Sequence, residues 1–591
     1  MRTMPAPVAR ILPAVTTAVI VGLGWLPTRV RAADEPAVIA VVAVDPYADL
    51  KKQAKWVGGQ IDQPTLDGFL ESFVMMATQF KGLAGLDVGR PAGVVVTAEG
   101  PAGVPVVRGF VPVKDLGMLL AALQGVIGPA QAQDGVQVIS PPGMPPIQIV
   151  EQDGWAIVAL QGSPAAAAGL TAALDPIANS FSLGVQVFPA RMPEGMRKQL
   201  AAVLQQAAAM QAQQGTPVDA EALATGLANL EQVETILFGA NVDVEKERVY
   251  LENRFAMVAD SAASGLYGEM AKATSTIAAP ATADGKPAAV RGHAALAIPE
   301  SLREAAKMAL MQALPVSGKE EAPGGATATV TISEPTNTIF TLLRQVIPAM
   351  LDAGGMDAAL AVDTSAAEMA EGKALPAVTV GMKVKDGRNL EANLKAALGA
   401  KGTLPAGVTA RFDAGKAGAA NLHVVEIDLA AADEKQAARL LGQKLPVTLG
   451  VTPTHAFVAL GADAEKRIAA AAGGGTPDAN AKPLAGLDVS LAPLVAYAAG
   501  TQKFLAPDDA DGIAVVTAVS EQAAAVPSSL VQLLSRPIER GLATRLSADG
   551  GAIKILKSLF MLQQPAAAQP AGVGPRPLPK GRPIPLPGLA P

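Results

Sequence analysis

The side chains best suited to proton chemistry near neutral pH are three histidines, His293, His423 and His455. No two of them lie three or four residues apart, and no His-Glu-x-x-His occurs, so a helical metal site is not encoded. His423 and His455 each begin an apolar run, where a capped or edge histidine of a strand is expected. Nucleophile motifs fail as well: there is no Gly-x-Ser-x-Gly elbow and no Ser-x-x-Lys pair. Gly-Lys pairs begin at Gly285, Gly318, Gly372 and Gly415, but none is followed by the Ser or Thr that a phosphate-cradling loop needs for Mg²⁺. The run Asp508-Asp509-Ala510-Asp511-Gly512 resembles a calcium loop only superficially. With Gly512 at the sixth position, the first and twelfth ligands would be Pro507 and Ala518, so a solvated turn is the expectation.

Cysteine is absent, which removes disulfides, thiolate metal sites, thiol nucleophiles and a lipid-bearing cysteine together. Two tryptophans stand near polar groups: Trp155 at the start of a strand, and Trp56 close to Lys51, Lys52 and Lys55. A lone tryptophan more often plugs a core than stacks on a ligand. The helical spacing of Met75-Met76 and of Met308 and Met311 reads as ordinary core packing. The sequence therefore assigns no catalytic, cofactor-binding or metal-ligating residue and implies no cofactor.

The elements that would position any site are repeated. Val113-Lys114-Asp115 recurs as Val384-Lys385-Asp386, and Ala156-Ile157-Val158-Ala159-Leu160 as Ala456-Phe457-Val458-Ala459-Leu460. Leu183-x-Val185-x-Val187-x-Pro189 recurs as Leu487-x-Val489-x-Leu491-x-Pro493. Order is kept throughout, which predicts two homologous halves built on one supersecondary design. Each half also holds two apolar strands feeding a proline-started helix: Ala37–Val44 before Pro46, Val185–Phe188 before Pro189, Ala294–Ile298 before Pro299, and Val489–Ala492 before Pro493. Strands are expected at 104–111, 136–139, 147–150, 155–160, 241–244, 248–255, 378–384, 423–428 and 455–460. Asp153-Gly154 and Glu245-Lys246-Glu247 form hairpin turns among them. Short turns between neighbours imply antiparallel sheets covered by helices on one face, an α+β fold.

Bulk properties set the frame. The chain of 591 residues exceeds a single core and is 50% hydrophobic but only 3% aromatic, so its cores are lean and alanine-rich. Arg2 and Arg10 precede an apolar stretch from Ile11 to Leu26, and Val30-Arg31-Ala32 supplies small residues: the order of a secretory signal peptide over residues 1–32. Its loss would remove four arginines and take the net charge from −6 to −10, which argues against nucleic acid as a partner. No other run reaches spanning length, so no transmembrane segment is expected after cleavage. The expected organisation is a first α+β domain at 33–276, a linker at 277–289, a second α+β domain at 290–564 and a Pro-rich disordered tail at 565–591. That tail holds Arg576-Pro577-Leu578-Pro579 and Arg582-Pro583-Ile584-Pro585.

Gly82-Leu83-Ala84-Gly85-Leu86-Asp87-Val88-Gly89-Arg90-Pro91, running into Gly93-Val94-Val95-Val96, resembles a segment of a group of large exported bacterial proteins to which no activity is assigned. Val111-Pro112-Val113-Lys114-Asp115 is similar to them too. The resemblance implies export and an α+β build, and carries over no site residue. The expectation for function is an exported envelope protein, periplasmic or secreted, that binds an unknown protein or envelope ligand without catalysis, in the cleft between halves. The alternatives are a hydrolase using dispersed carboxylates, or a carrier enclosing an apolar ligand under the sheets.

Overall fold

The computed structural model describes residues 37–563 except 100–103, 142–144, 161–168, 214–229, 274, 278–287, 314–317, 322–326, 331–343, 345, 366, 368, 371–372, 400–403, 405–406, 430–434 and 474–483. The signal peptide, most of the linker and the Pro-rich tail therefore lie outside the described residues.

The first half contributes strands β1 (Ala37–Val44), β2 (Ala92–Glu99), β3 (Val104–Pro112), β4 (Ala130–Gln133), β5 (Val136–Ile139), β6 (Ile147–Gln152), β7 (Trp155–Leu160), β8 (Leu183–Val187), β9 (Val233–Asp243) and β10 (Arg248–Met257). The second contributes β11 (Val290–Ala297), the hairpin β12 (Gly318–Glu321) and β13 (Thr327–Val330), then β14 (Gly355–Asp363), β15 (Ala377–Lys383), β16 (Val408–Ala417), β17 (Ala420–Asp428), β18 (Lys444–Val451), β19 (His455–Leu460), β20 (Ala485–Ser490), β21 (Leu530–Ile538) and β22 (Gly541–Asp549). The helices used below are α1 (Tyr47–Gln60), α2 (Leu66–Ala77), α3 (Leu116–Ile127), α4 (Asp175–Ala178), α5 (Ala262–Met270), α6 (346–352), α7 (Gly387–Gly399), α8 (Ala464–Ala472), α9 (Ala510–Ala524) and α10 (Gly550–Gln563). Mixed helix and antiparallel sheet make the fold α+β.

Pairing in one half is mirrored in the other. β1 lies between β2 and β8, β2 joins β3, β3 joins β7, and β7 leads through β6 and β5 to β4 at the edge. Likewise β11 lies between β14 and β20, β14 joins β15, β15 joins β19, and β19 leads through β18 and β17 to β16. On the other side β8-β9-β10 matches β20-β21-β22, and β10 pairs β22 directly. The halves therefore do not form two separate sheets: 20 strands make one antiparallel sheet that runs through the junction.

Helices pack on both faces, not on one. Residues alternate faces along a strand. Ile157 and Phe110 pack under Leu174 and Ile177 of the α4 region, whereas neighbouring Ala156 packs under Leu116 and Leu119 of α3. In the second half Phe457 and Ala459 meet Ile468 of α8, and Ala456 and Met382 meet Leu390 and Leu394 of α7 with Val346 and Met350 of α6. One-sided cover was expected because a single hydrophobic face suffices for a small antiparallel sheet. This sheet is apolar on both sides and needs two layers.

The repeated sequence motifs occupy matched positions. Val113 donates its amide to Gly154 O at 2.9 Å, and Val384 donates to Thr454 O at 2.9 Å. Asp115 Oδ1 accepts from the Met118 amide (2.8 Å), and Asp386 Oδ1 from the Asn389 amide (3.1 Å), so each caps a helix. Phe110 faces Ile157 where Gly381 faces Phe457, so the large ring has moved across the pair of strands. The third motif is slipped. Following partners outward from Arg108 and Thr379, Leu183 stands where Ala485 stands, two residues short of Leu487. A two-residue slip keeps the same face, which is why the pattern survives it. The strand expected at 489–492 likewise ends at Ser490, and the next helix begins at Leu491, ahead of Pro493.

Candidate functional site at the junction of the halves

Continuing the same count across β8, β9 and β10 sets Glu252 opposite its own counterpart, Arg545, on the pseudo-two-fold between β10 and β22. The Glu252 side chain is fully buried, and both carboxylate oxygens are taken, one by Arg254 Nε and the other by Arg545 Nε. Arg536 Nη2 stands 3.9 Å away, and the Arg545 guanidinium lies 4.2 Å over the Tyr250 ring. Burial pushes the Glu252 carboxyl up, but the hydrogen bonds from Arg254 and Arg545 together outweigh it and hold the carboxyl below its ordinary range. The cluster is a lock between the halves.

Leu251 and Asn253, its neighbours on β10, point to the opposite face. There Leu183, Ala240, Leu251, Leu546, Leu533 and Leu487 line up strand to strand across β8, β9, β10, β22, β21 and β20. At about 4.8 Å per strand the row is roughly 24 Å long. Leu183, Phe238, Leu487, Leu533 and Leu546 each keep more than a third of their surface open to solvent. A depression of about 210 Å³ sits here, lined by Leu183, Val185, Phe238 and Leu251 from one half and Thr544 and Leu546 from the other. Of the residues that line it only Glu252 is charged, and its carboxylate is turned to Arg254 and Arg545 on the opposite face. It is a shallow apolar floor, suited to contact and not to proton transfer.

Of the three histidines His423 is buried and His293 and His455 are half-buried, burial favours the neutral ring in each, and each is structural. His423 is 1% exposed. A bulge in β16 turns Asp413 to φ 53°, so its amide donates to His423 Nδ1 at 3.1 Å. That bond places the ring proton on Nε2, which faces Glu391 Oε1 at 3.4 Å. Glu391, Asp413 and His423 bring potential ligand atoms within 4.8 Å of one another. The protonated Nε2 has no lone pair to give, however, and Lys395 Nζ already lies 2.8 Å from both carboxylates. The donor set does not fit a metal ion.

His455 adjoins a second cluster. Asp357 accepts from Ser275 Oγ (2.8 Å), the Thr276 amide (2.7 Å) and Thr276 Oγ1 (2.7 Å). Thr276 Oγ1 lies 3.1 Å from His455 Nε2. The single hydroxyl proton goes to Asp357, so the imidazole donates to the hydroxyl and takes nothing from it. This is the wrong polarity for a nucleophile; it is a clasp that anchors 275–277 to the second half, with Ile277 buried beside Gly381. His293 lies beside Gly486, where a Cβ would come within 2.3 Å of its ring.

Burial lowers the pKa of His293, His423 and His455 below the usual 6.5, against opposing carboxylates. The unfolded chain then binds protons the folded chain refuses. Stability is full above pH 6.5 and is lost as pH falls from there through the depressed values. Denaturant midpoints measured at pH 7.5 and 5.5 are expected to differ, with the lower pH less stable; equal midpoints would contradict neutral burial.

The other flagged residues are absorbed by the fold. Asp509 Oδ1 accepts from the Gly512 amide at 3.0 Å and caps α9, so the acidic run is a helix start. Trp155 is buried edge-on to Phe110 with the Arg90 guanidinium 4.3 Å over its ring, and Trp56 packs beside Gly550. The methionines depart from expectation: Met75 is half-buried, but Met76 and Met308 are exposed. Two buried arginines carry no signal in the sequence. Arg108 Nη1 donates to Thr97 Oγ1 at 2.9 Å, and Arg467 Nε donates to Thr379 Oγ1 at 3.0 Å, Thr379 being the counterpart of Arg108. Each half buries a guanidinium in the same place from a different element. A helix-borne arginine is not readable from strand periodicity. No family model matches the chain, and no curated protein or solved structure matches it.

Proposed function

We propose that this chain is an exported bacterial envelope protein, periplasmic or secreted, that acts without catalysis by binding an apolar partner or ligand on the floor shared by its halves. We propose also that the halves descend from one duplicated module. The observation that carries the binding reading is the uncharged apolar row that crosses the junction over six successive strands, with Leu183, Leu546, Leu533 and Leu487 open to solvent. Its chemistry is complementary to apolar surface, at roughly 25 cal/mol per Å² removed from water. The carboxylates at the clusters favour the same reading over a hydrolase. Glu252 is tied to arginines, Glu391 and Asp413 to Lys395, and Asp357 to three donors, so each is engaged as an acceptor. Export is supported by the order of residues 1–32 and the resemblance of 82–96, and for an exported chain the lack of cysteine fits a bacterial envelope better than a eukaryotic secretory route. Duplication is supported by matched caps, matched strand order and a junction that sets Glu252 against its own counterpart.

The test uses the fluorescent apolar probe 8-anilinonaphthalene-1-sulfonate with the purified chain. Leu546→Lys is expected to weaken probe binding by tenfold or more, because the new charge would be desolvated at the centre of the row. Unchanged binding in a folded Leu546→Lys chain would overturn the reading. The carrier alternative draws on one feature: an apolar cavity of about 140 Å³ lined by Val346, Met382, Leu394, Leu445, Leu449 and Phe457. That volume holds a benzene-sized group and no more. Leu449→Trp is expected to fill it and leave probe binding on the floor unchanged.

A further inference from the structure

The helix α2 has a wider apolar face than the body of the protein covers. Its sequence, Leu-Asp-Gly-Phe-Leu-Glu-Ser-Phe-Val-Met-Met-Ala, has polar side chains only at Asp67, Glu71 and Ser72. Leu66, Leu70 and Val74 form the inner row and are partly buried, with α2 packed along α1. Next to that row on the helix surface lie Phe69, Phe73 and Met76, with Phe80 just beyond the helix end. They are 71%, 57%, 68% and 79% exposed. An isolated exposed phenylalanine needs no explanation, but two rings and a methionine in one line on a helix, with a third ring past its end, do. Lys557 Nζ, 2.6 Å from Asp62 Oδ2, ties α10 to the α1–α2 turn, and α10 adds Phe560 and Met561, both also exposed.

We infer that this ridge is the contact face of a homodimer, with α2 packed against α2 of a second copy about a two-fold axis. Three properties select a second copy. Phe69, Phe73 and Met76 follow the four-then-three spacing of a coiled-coil seam, so the ridge fits another helix carrying the same spacing. In the antiparallel arrangement Phe73 meets Phe73 near the axis and Phe69 meets Met76, so the row complements itself. The helical flanking positions nearest that seam, Leu70 and Ser72, are uncharged, and Glu71, on the far side, is paired with Lys51. Two copies therefore approach without like-charge repulsion. At about 200 Å² per large side chain, Phe69, Phe73 and Met76 expose roughly 400 Å² in each copy, the apolar centre of an interface that buries about 800 Å² per partner with a polar rim around it.

The ridge is distinct from the junction floor, so the two readings fail separately. The experiment measures the mass of the exported, purified chain by light scattering between 1 and 100 μM. A concentration-dependent doubling of mass is expected, and Phe73→Glu is expected to raise the dissociation constant by 100-fold or more. Because residue 73 faces its own copy, mixing Phe73→Glu with Phe73→Lys chains is expected to restore the dimer while neither does so alone. Probe binding on the floor is expected to persist in both variants. A monomer at 100 μM, a dimer indifferent to Phe73→Glu in a chain with unchanged thermal unfolding, or no rescue on mixing would each overturn the inference.

Discussion

Replacing Glu252 by alanine is expected to destabilise the protein by about 3–5 kcal/mol, the cost of removing one partner from a buried charge cluster. The deletion leaves Arg254 and Arg545 without their acceptor, facing each other and Arg536. The loss falls on β10 and β22, the strands that join the halves, so the junction is expected to open first. Hydrogen exchange on 248–257 and 541–549 checks this, and denaturant unfolding gives the magnitude. A loss under 1 kcal/mol would mean the cluster is not the lock described. The carboxyl is held below its ordinary range. Its contribution is therefore present above the unfolded value of about 4.3 and is lost as pH falls through the lower folded value. In the wild type this acid loss follows the histidine loss that begins below pH 6.5, so two steps are expected, and Glu252→Gln is expected to remove only the lower one.

Gly239→Val is expected to cost about 3 kcal/mol by overpacking. A Cβ there would stand 2.2 Å from the Phe181 ring, and Gly184 beside it would stand 2.3 Å from Ile177 Cγ2. These glycines let the α4 region press directly on β8 and β9. Gly450 does the same in the second half, with Ile468 Cγ2 2.6 Å from its added Cβ. Gly59, in α1 with nothing within 4 Å, is the control: Gly59→Ala is expected to stabilise by about 0.5–1 kcal/mol. Thermal unfolding of the two variants should move in opposite directions. A neutral Gly239→Val would show that Phe181 can yield.

Strands rich in β-branched residues and bounded by turn residues are legible in the sequence nearly to the residue. Ala37–Val44, Val136–Ile139, Trp155–Leu160 and His455–Leu460 have the limits that their composition predicts. Asp153 and Gly154 both take positive φ, as an Asp-Gly hairpin turn requires. Gly355–Asp363 was not legible, because Gly-Met-Asp-Ala-Ala-Leu-Ala-Val-Asp has little strand propensity of its own and is held by β11 and β15. Leu530–Ile538 and Gly541–Asp549 escaped as well, broken up by Arg, Pro and Gly yet paired along their whole length. At the two ends of the expected linker Ile277, Ala288 and Ala289 are core residues, and 278–287 lie outside the described residues.

By its residues alone this chain determined that it would be an α+β protein with a recurring order of strands and caps. Those features depend on neighbours within one turn or hairpin. Only the tertiary structure decided that the halves share one sheet, that Glu252 meets Arg545 across the junction, and that the methionine-bearing helix bares its phenylalanines to solvent. Each of these joins residues far apart in the chain, or depends on which side of a helix another element happens to cover, and periodicity records the presence of an apolar face without recording what it meets.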